Sequence, residues 1–327
     1  MAVLFCYSLF YLSIIQSIVS LSLPTENNLQ NQIQKITLHE LETLLNNSNS
    51  DNNFALDHLK DAGGNLGIIE ISDLGLDYMK ALKKLQNTAP TCIGQTKNRV
   101  PRKIPMPDGS YRKTYATTSK TYLDCLDMSV LSETFDAIDA AMMKVLHNFN
   151  QHYSDKLNLQ CSQLAYKVEE KIVPIENSLE KEHIHVYTKN QDKINIPSQN
   201  ETSKNLVPFH LDNGLFLIIT PFPEHGMNVK ISNGITVSTS HVGLDSALVL
   251  IGRGLTDWLM SKNIAEKRHF FAIPHSVPTL EGSNVETRTV YARMKVPDPS
   301  STTAMVNCTD FNGTNTEFQK FFHSGYI

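Results

Sequence analysis

Residues 207–240 read VPFHLDNGLFLIITPFPEHGMNVKISNGITVSTS. Four apolar runs of strand length lie in this stretch: VPFHLD (207–212), LFLIITPF (215–222), MNVKIS (227–232) and ITVSTS (235–240). Asn213-Gly214, Pro223-Glu-His-Gly226 and Asn233-Gly234 separate them. Asn-Gly between two alternating runs is a strong hairpin signal, because both residues tolerate the positive φ of a tight turn. Working outward, HIHVYT (183–188) precedes the block, and ALVLIGRG (247–254), HFFAIPHSV (269–277) and RTVYARMKV (288–296) follow it. Short strands with so little helix between them exclude a βαβ chain and predict an antiparallel barrel or sandwich.

Ahead of the strands the apolar period becomes helical. Leu131, Phe135, Ile138, Met142, Val145 and Phe149 step by four and three, one continuous face of a helix from Asp127 to about Tyr153. Asp127 or Ser129 can cap its start, and its apolar face is expected to back a sheet. Leu66–Ile71 reads as a strand and Leu76–Asn87 as a helix ended by Ala89-Pro90, since proline cannot donate to the helical ladder. The polar stretch 46–53 (NNSNSDNN) reads as a loop.

The chain has 327 residues, 41% hydrophobic and 19% charged, enough for a full hydrophobic core. A formal charge of −4 excludes a dedicated nucleic-acid binder, which needs a basic excess. The run Lys97–Lys120 is locally basic, with seven Lys/Arg, one acid and three Pro. It reads as a solvated loop, the alternative being a lid that faces an acidic substrate.

Residues 2–23 carry no charged side chain. Ser20 and Ser22 place small residues at −3 and −1 of a cut before Leu23, which favours a cleaved secretory signal over an uncleaved anchor. With cleavage no stable membrane span remains. Cys92, Cys125, Cys161 and Cys308 are then an even set that permits two disulfides in any of three pairings. Asn46, Asn200, Asn307 and Asn312 are glycosylation acceptors. A secreted or secretory-lumen glycoprotein is the expectation.

His210 and Asp212 stand two apart on an expected strand, so both side chains leave one face while Leu211 leaves the other. His275 follows 63 residues after Asp212, at the end of another strand. Two imidazoles and one carboxylate suit a divalent first-row metal and leave coordination positions open. The spacing alone is weakly specific. His183 and His185 also share a face and could mimic a metal pair, but solvent-facing or packed histidines are the more usual reading.

The ordered series HLDNGLFLIITPFPEHGMNVKISNGITVSTS, SALVLIGRGLTDWL, FAIPHSVPTL and RTVYARMKVP resembles the 2-oxoglutarate/Fe(II)-dependent oxygenases of the isopenicillin N synthase-like superfamily. The resemblance covers roughly 183–297 and more loosely 56–160. It implies a mainly β fold with N-terminal helices, a double-stranded β-helix (jelly-roll) barrel backed by the long helix. The implied organisation is a signal peptide (1–22), an N-terminal helical and mixed region packing on the barrel (23–160), the oxygenase barrel (161–300) and a polar tail (301–327). It makes His210, Asp212 and His275 the ligands of Fe(II), with 2-oxoglutarate as co-substrate and O₂ as oxidant.

The same resemblance assigns the distal carboxylate of 2-oxoglutarate to Arg288, 13 residues after His275, and places Tyr187 in the pocket. Where the family has Arg-x-Ser, this chain has Arg288-Thr289-Val290, and Val290 has no hydroxyl to donate. Thr289 and Arg293 are expected on the opposite face of the strand. The implied activity is hydroxylation or a related oxidation of a small molecule or peptide, with the basic run favouring an acidic one. The rival readings are a catalytically inactive barrel kept as a binding module, and a metal-dependent lyase or isomerase.

Overall fold

The computed structural model describes residues 32–46, 56–95, 102–106, 108–118, 122–156, 164–189, 205–260, 262–280 and 286–304. In chain order the strands are β1 (Gln34–Thr37), β2 (Ile68–Ser72), β3 (Arg102–Pro105), β4 (Tyr111–Thr117), β5 (Ala165–Val168), β6 (Lys171–Pro174), β7 (Leu179–Thr188) and β8 (Asn205–His210). There follow β9 (Phe216–Ile219), β10 (Asn228–Lys230), β11 (Thr236–Ser238), β12 (Ala247–Ile251), β13 (His275–Pro278), β14 (Thr287–Val296) and β15 (Ser301–Ala304). The helices are α1 (Leu38–Asn46), α2 (Gly75–Gln95), α3 (Ser129–Lys156) and α4 (Lys262–Lys267).

Eight strands form one large sheet in the order β1-β2-β12-β9-β14-β7-β4-β3. Its first pair is parallel and the other pairings are antiparallel. A four-stranded sheet, β11-β10-β13-β8, is the second layer, and β15-β5-β6 make a small third sheet. The fold is the mainly β jelly roll that the strand pattern and the resemblance imply. Strands β1 to β4, all from the N-terminal region, extend the large sheet itself.

Strand β14 shows how the sheet separates two environments. Its alternate residues Tyr291, Arg293 and Lys295 face α3, where the Phe135 and Tyr291 rings stack with centroids 4.6 Å apart. Arg293 is buried and donates to Glu182 Oε1 on β7 (2.6 Å), Asp136 Oδ1 (2.5 Å) and Ser132 Oγ (2.9 Å). Lys295 Nζ donates to Asp139 Oδ2 at 2.9 Å. Leu131, Phe135, Ile138, Met142, Val145 and Phe149 are all buried, as the helical period predicts. Asp127, just outside α3, accepts the hydroxyl of Ser129 at 2.8 Å.

Two expectations are corrected. Helix α2 does not stop at Pro90 but runs through it to Gln95. The lost N–H is outweighed because Cys92 and Ile93 stay buried beyond it, and a disulfide ties Cys92 to Cys125 in the segment before α3. The basic run is not a plain loop either: β3 and β4 form an antiparallel hairpin whose turn contains Asp108 and Gly109, the latter at φ 81°. Pro-Asp-Gly between two extended runs is itself a turn signal. Residues 2–23, Cys161, Cys308, Asn200, Asn307 and Asn312 lie outside the described residues, as does 47–53 of the polar stretch. Among the described residues no helix is long and apolar enough to cross a membrane.

Because Arg293 and Glu182 are both buried, removing one strands the other's charge. Arg293→Ala is therefore expected to lower the unfolding free energy by about 3–5 kcal/mol, read from denaturant midpoints. An unchanged midpoint would show that the ionic cluster does not hold α3 to the sheet.

Candidate metal centre

Strands β8 and β13 are antiparallel neighbours, and His210 is the register partner of His275. Their rings lie with centroids 4.3 Å apart. Asp212 falls just past the end of β8 rather than on it, in the turn that leads to Gly214. That turn is braced by Gly252-Arg253-Gly254. The Arg253 N–H donates to Asp212 O (2.8 Å), Gly254 N–H to Gly214 O (2.9 Å) and Gly252 N–H to Leu215 O (3.0 Å). A Cβ on Gly252 would stand 2.3 Å from Gly214 O, and one on Gly254 would stand 2.4 Å from Asn213 O. Only glycine lets the two backbones approach this closely.

One ligand atom from each of His210, Asp212 and His275 falls within 4.8 Å of the others. His275 Nε2 is 3.5 Å from Asp212 Oδ2, and His210 Nε2 is 3.9 Å from Asp212 Oδ1. Both imidazoles are oriented from behind by backbone carbonyls: His210 Nδ1 lies 3.0 Å from Pro208 O and His275 Nδ1 3.1 Å from Ile273 O. A carbonyl can only accept, so each neutral ring carries its proton on Nδ1 and turns the Nε2 lone pair to the centre. Burial holds the His275 imidazole below its usual range, with Asp212 pulling the other way.

Asp212 Oδ2 is buried and has no hydrogen-bond partner among the described residues. A carboxylate whose two oxygens each face an imidazole lone pair, neither of them donating, is costly unless a cation sits among them. The donor set of two neutral imidazoles and one carboxylate fits a divalent first-row metal and leaves positions free for other ligands.

The large sheet supplies the facing wall. On β7, His183, His185 and Tyr187 alternate on one face, paired with Ala292, Val290 and Arg288 of β14 on one side. On the other side they pair with Ala116, Thr114 and Arg112 of β4. The His183 and His185 rings stack at 5.5 Å, and Thr114 Oγ1 lies 2.9 Å from His185 Nδ1. Burial pushes His183 down to about 4 and His185 well below its usual range. They are neutral wall groups, and they do not join the three-residue cluster.

Arg288 is fully buried and is held by two carbonyls, donating from Nη1 to Pro278 O (3.2 Å) and from Nη2 to Thr279 O (3.1 Å). Tyr187 is buried beside it. Val290 lies on their face, while Thr289 and Arg293 face the helix side. The structure thus brings together the three expected ligands, with Arg288 and Tyr187 on the opposing wall. The sequence reading missed the glycine brace and the inward position of Arg112. The GRG spacing and the Pro-Asp-Gly turn were the signals for them.

No protein-family model matches the sequence, and comparison with curated protein sequences finds no match. Solved structures do match. A candidate oxygenase from Shewanella oneidensis has a TM-score of 0.57 at 14% identity, covering 90% of this chain and 100% of that one. A full-length Neurospora crassa protein solved in complex with alpha-KG has a TM-score of 0.53 at 14% identity, covering 90% and 96%. The dioxygenase for auxin oxidation of rice has a TM-score of 0.51 at 15% identity, covering 89% and 94%. At such identities the likeness establishes the fold, which this chain shares along nearly its whole length with solved oxygenases.

Two outcomes are expected. Asp212→Ala or His275→Ala should weaken Mn(II) binding, measured by calorimetry, by more than the ~100-fold that loss of a supporting hydrogen bond costs. Wild-type affinity in either variant would remove these residues from the ligand set. The second outcome concerns acid stability of the metal-free protein. With folded-state values depressed, His183 and His185 bind fewer protons folded than unfolded between pH 6.5 and about 4. Stability should therefore fall as pH drops through that window, by at most ~1.4 kcal/mol per pH unit for each histidine. The slope should flatten in a His183→Gln/His185→Gln variant; an unaltered slope would place the titration elsewhere.

Proposed function

We propose that this protein is a non-haem Fe(II)- and 2-oxoglutarate-dependent oxygenase that oxidises a small molecule or peptide in the secretory pathway. The observation that carries the reading is the centre itself. Two carbonyl-oriented imidazoles and an orphaned carboxylate oxygen converge within a jelly roll whose solved structural neighbours include a protein crystallised with alpha-KG. Bound Fe(II), with 2-oxoglutarate and O₂, supplies the oxidation of an unactivated C–H bond.

The chain's own residues do the rest. His210, Asp212 and His275 hold the metal and leave part of its coordination open. Arg288, fixed by the carbonyls of Pro278 and Thr279, presents a buried guanidinium to the distal carboxylate of the co-substrate, with the Tyr187 hydroxyl beside it. His183 and His185 share the sheet face of Tyr187 as neutral imidazoles, which would hydrogen-bond a substrate without adding charge. No side chain is needed as a general acid or base.

The compartment is supported by the uncharged segment 2–23, by the acceptor asparagines and by the Cys92–Cys125 disulfide, a bond that persists in oxidising compartments. The enzymatic reading is tested by anaerobic titration of the Fe(II)-loaded protein with 2-oxoglutarate. A weak visible charge-transfer band that saturates is the expected result. Bound iron with no band would return the protein to metal-only chemistry such as a lyase or isomerase.

A further inference from the structure

We propose that Arg112, on the β3–β4 hairpin, completes the binding site for the distal carboxylate of the 2-oxo acid, with Arg112, Tyr187 and Arg288 acting as one row across three adjacent strands. The inference rests on the oxygenase reading above and extends it to a residue outside the resemblance's motifs. In register, Arg112 of β4 pairs with Tyr187 of β7, and Tyr187 pairs with Arg288 of β14. Paired residues project from the same face of a sheet. Neighbouring strands lie about 4.8 Å apart, so the two arginine backbones stand roughly 10 Å apart with the tyrosine between them. The Tyr187 phenol lies near enough to both arginines to feel the charge of Arg112 and of Arg288.

The hydrogen-bond accounts of the two arginines point to an anion. Arg288 is fully buried, with two N–H groups donating to backbone carbonyls, yet its Nε has no partner among the described residues. The Nε of Arg112 is likewise buried and without a partner among them. Arg112 as a whole is half-buried, but a buried donor left unsatisfied is costly, and a carboxylate reaching both Nε groups relieves both. Glu224 and Asp108 are the acids near Arg288, and both are exposed.

The row also answers the missing hydroxyl. Two positions after Arg288, on the same face, stands Val290, which has no donor. Thr289 lies on the other face of β14, and the hydroxyl of Thr114 is engaged with His185 Nδ1 at 2.9 Å. Arg112, on the far side of Tyr187, supplies a charged donor in place of that hydroxyl. With two guanidiniums in the row, the pocket should demand a distal carboxylate rather than merely tolerate one.

The test is calorimetric titration of the full-length, Mn(II)-loaded protein with 2-oxoglutarate and with 2-oxopentanoate, which has a methyl group where 2-oxoglutarate has its distal carboxylate. A charge-assisted hydrogen bond contributes ~1.5–3 kcal/mol, so Arg112→Gln should weaken 2-oxoglutarate binding about 10- to 100-fold. It should leave 2-oxopentanoate unchanged, and Arg112→Lys should recover part of the loss. Arg112→Gln binding 2-oxoglutarate like wild type, while Arg288→Gln does not, would overturn the assignment and leave the oxygenase reading standing. An equal loss for both ligands would overturn it too, by showing a merely structural role. Failure of wild-type, metal-loaded protein to bind 2-oxoglutarate would remove the oxygenase reading and this inference with it.

Discussion

The hydrogen bonds that hold two imidazoles by their rear nitrogens set the character of the centre. Pro208 O and Ile273 O accept from Nδ1 of His210 and His275, and this decides which nitrogen of each ring carries a lone pair inward. The pairing of β8 with β13 brings those two nitrogens together. The carboxylate of the cluster depends on a different device. Asp212 sits on a turn whose carbonyls are gripped by the backbone of Gly252, Arg253 and Gly254 at the end of β12. Strands of both barrel sheets therefore fix three donor atoms, and a side chain at either glycine would push the turn away. This is how a rigid scaffold keeps a polar cluster converged before any metal arrives.

The large sheet keeps two kinds of electrostatics apart. On the α3 side, Arg293 and Lys295 are matched by Glu182, Asp136, Asp139 and Glu180, a cluster in which the charges find partners. On the other side the same strand carries Arg288, paired with Tyr187 of β7, and its Nε has no partner among the described residues. One strand thus carries two buried arginines at positions five apart, on opposite faces by the period of the pleat. Ion pairs tie one face of the strand to α3, whereas the arginine on the other face is held, among the described residues, by backbone carbonyls alone.

The alternation of short apolar runs with Gly- and Pro-bearing turns made most of the barrel legible in the sequence, because period 2 and turn chemistry are local properties. The 131–149 stripe was legible for the same reason. His210, Asp212 and His275 were readable as a set only because their order matched a known strand series; their spacing was weakly specific. What escaped notice depended on pairing between distant segments. The hairpin at Arg102–Thr117 was obscured by its basic composition, and its edge pairing with β7 is not written in its own residues. Helix α2 continued through Pro90 because burial and a disulfide to Cys125, 33 residues away, outweighed a local rule.

The central claim is that His210, Asp212 and His275 hold an iron ion within this jelly roll. Anomalous diffraction at the iron absorption edge, from crystals of the protein loaded with Fe(II) under anaerobic conditions, tests it most directly. The account predicts one strong peak between His210 Nε2, His275 Nε2 and the Asp212 carboxylate. A peak elsewhere, such as beside His183 and His185, or no peak at that centre in iron-loaded protein, would contradict it.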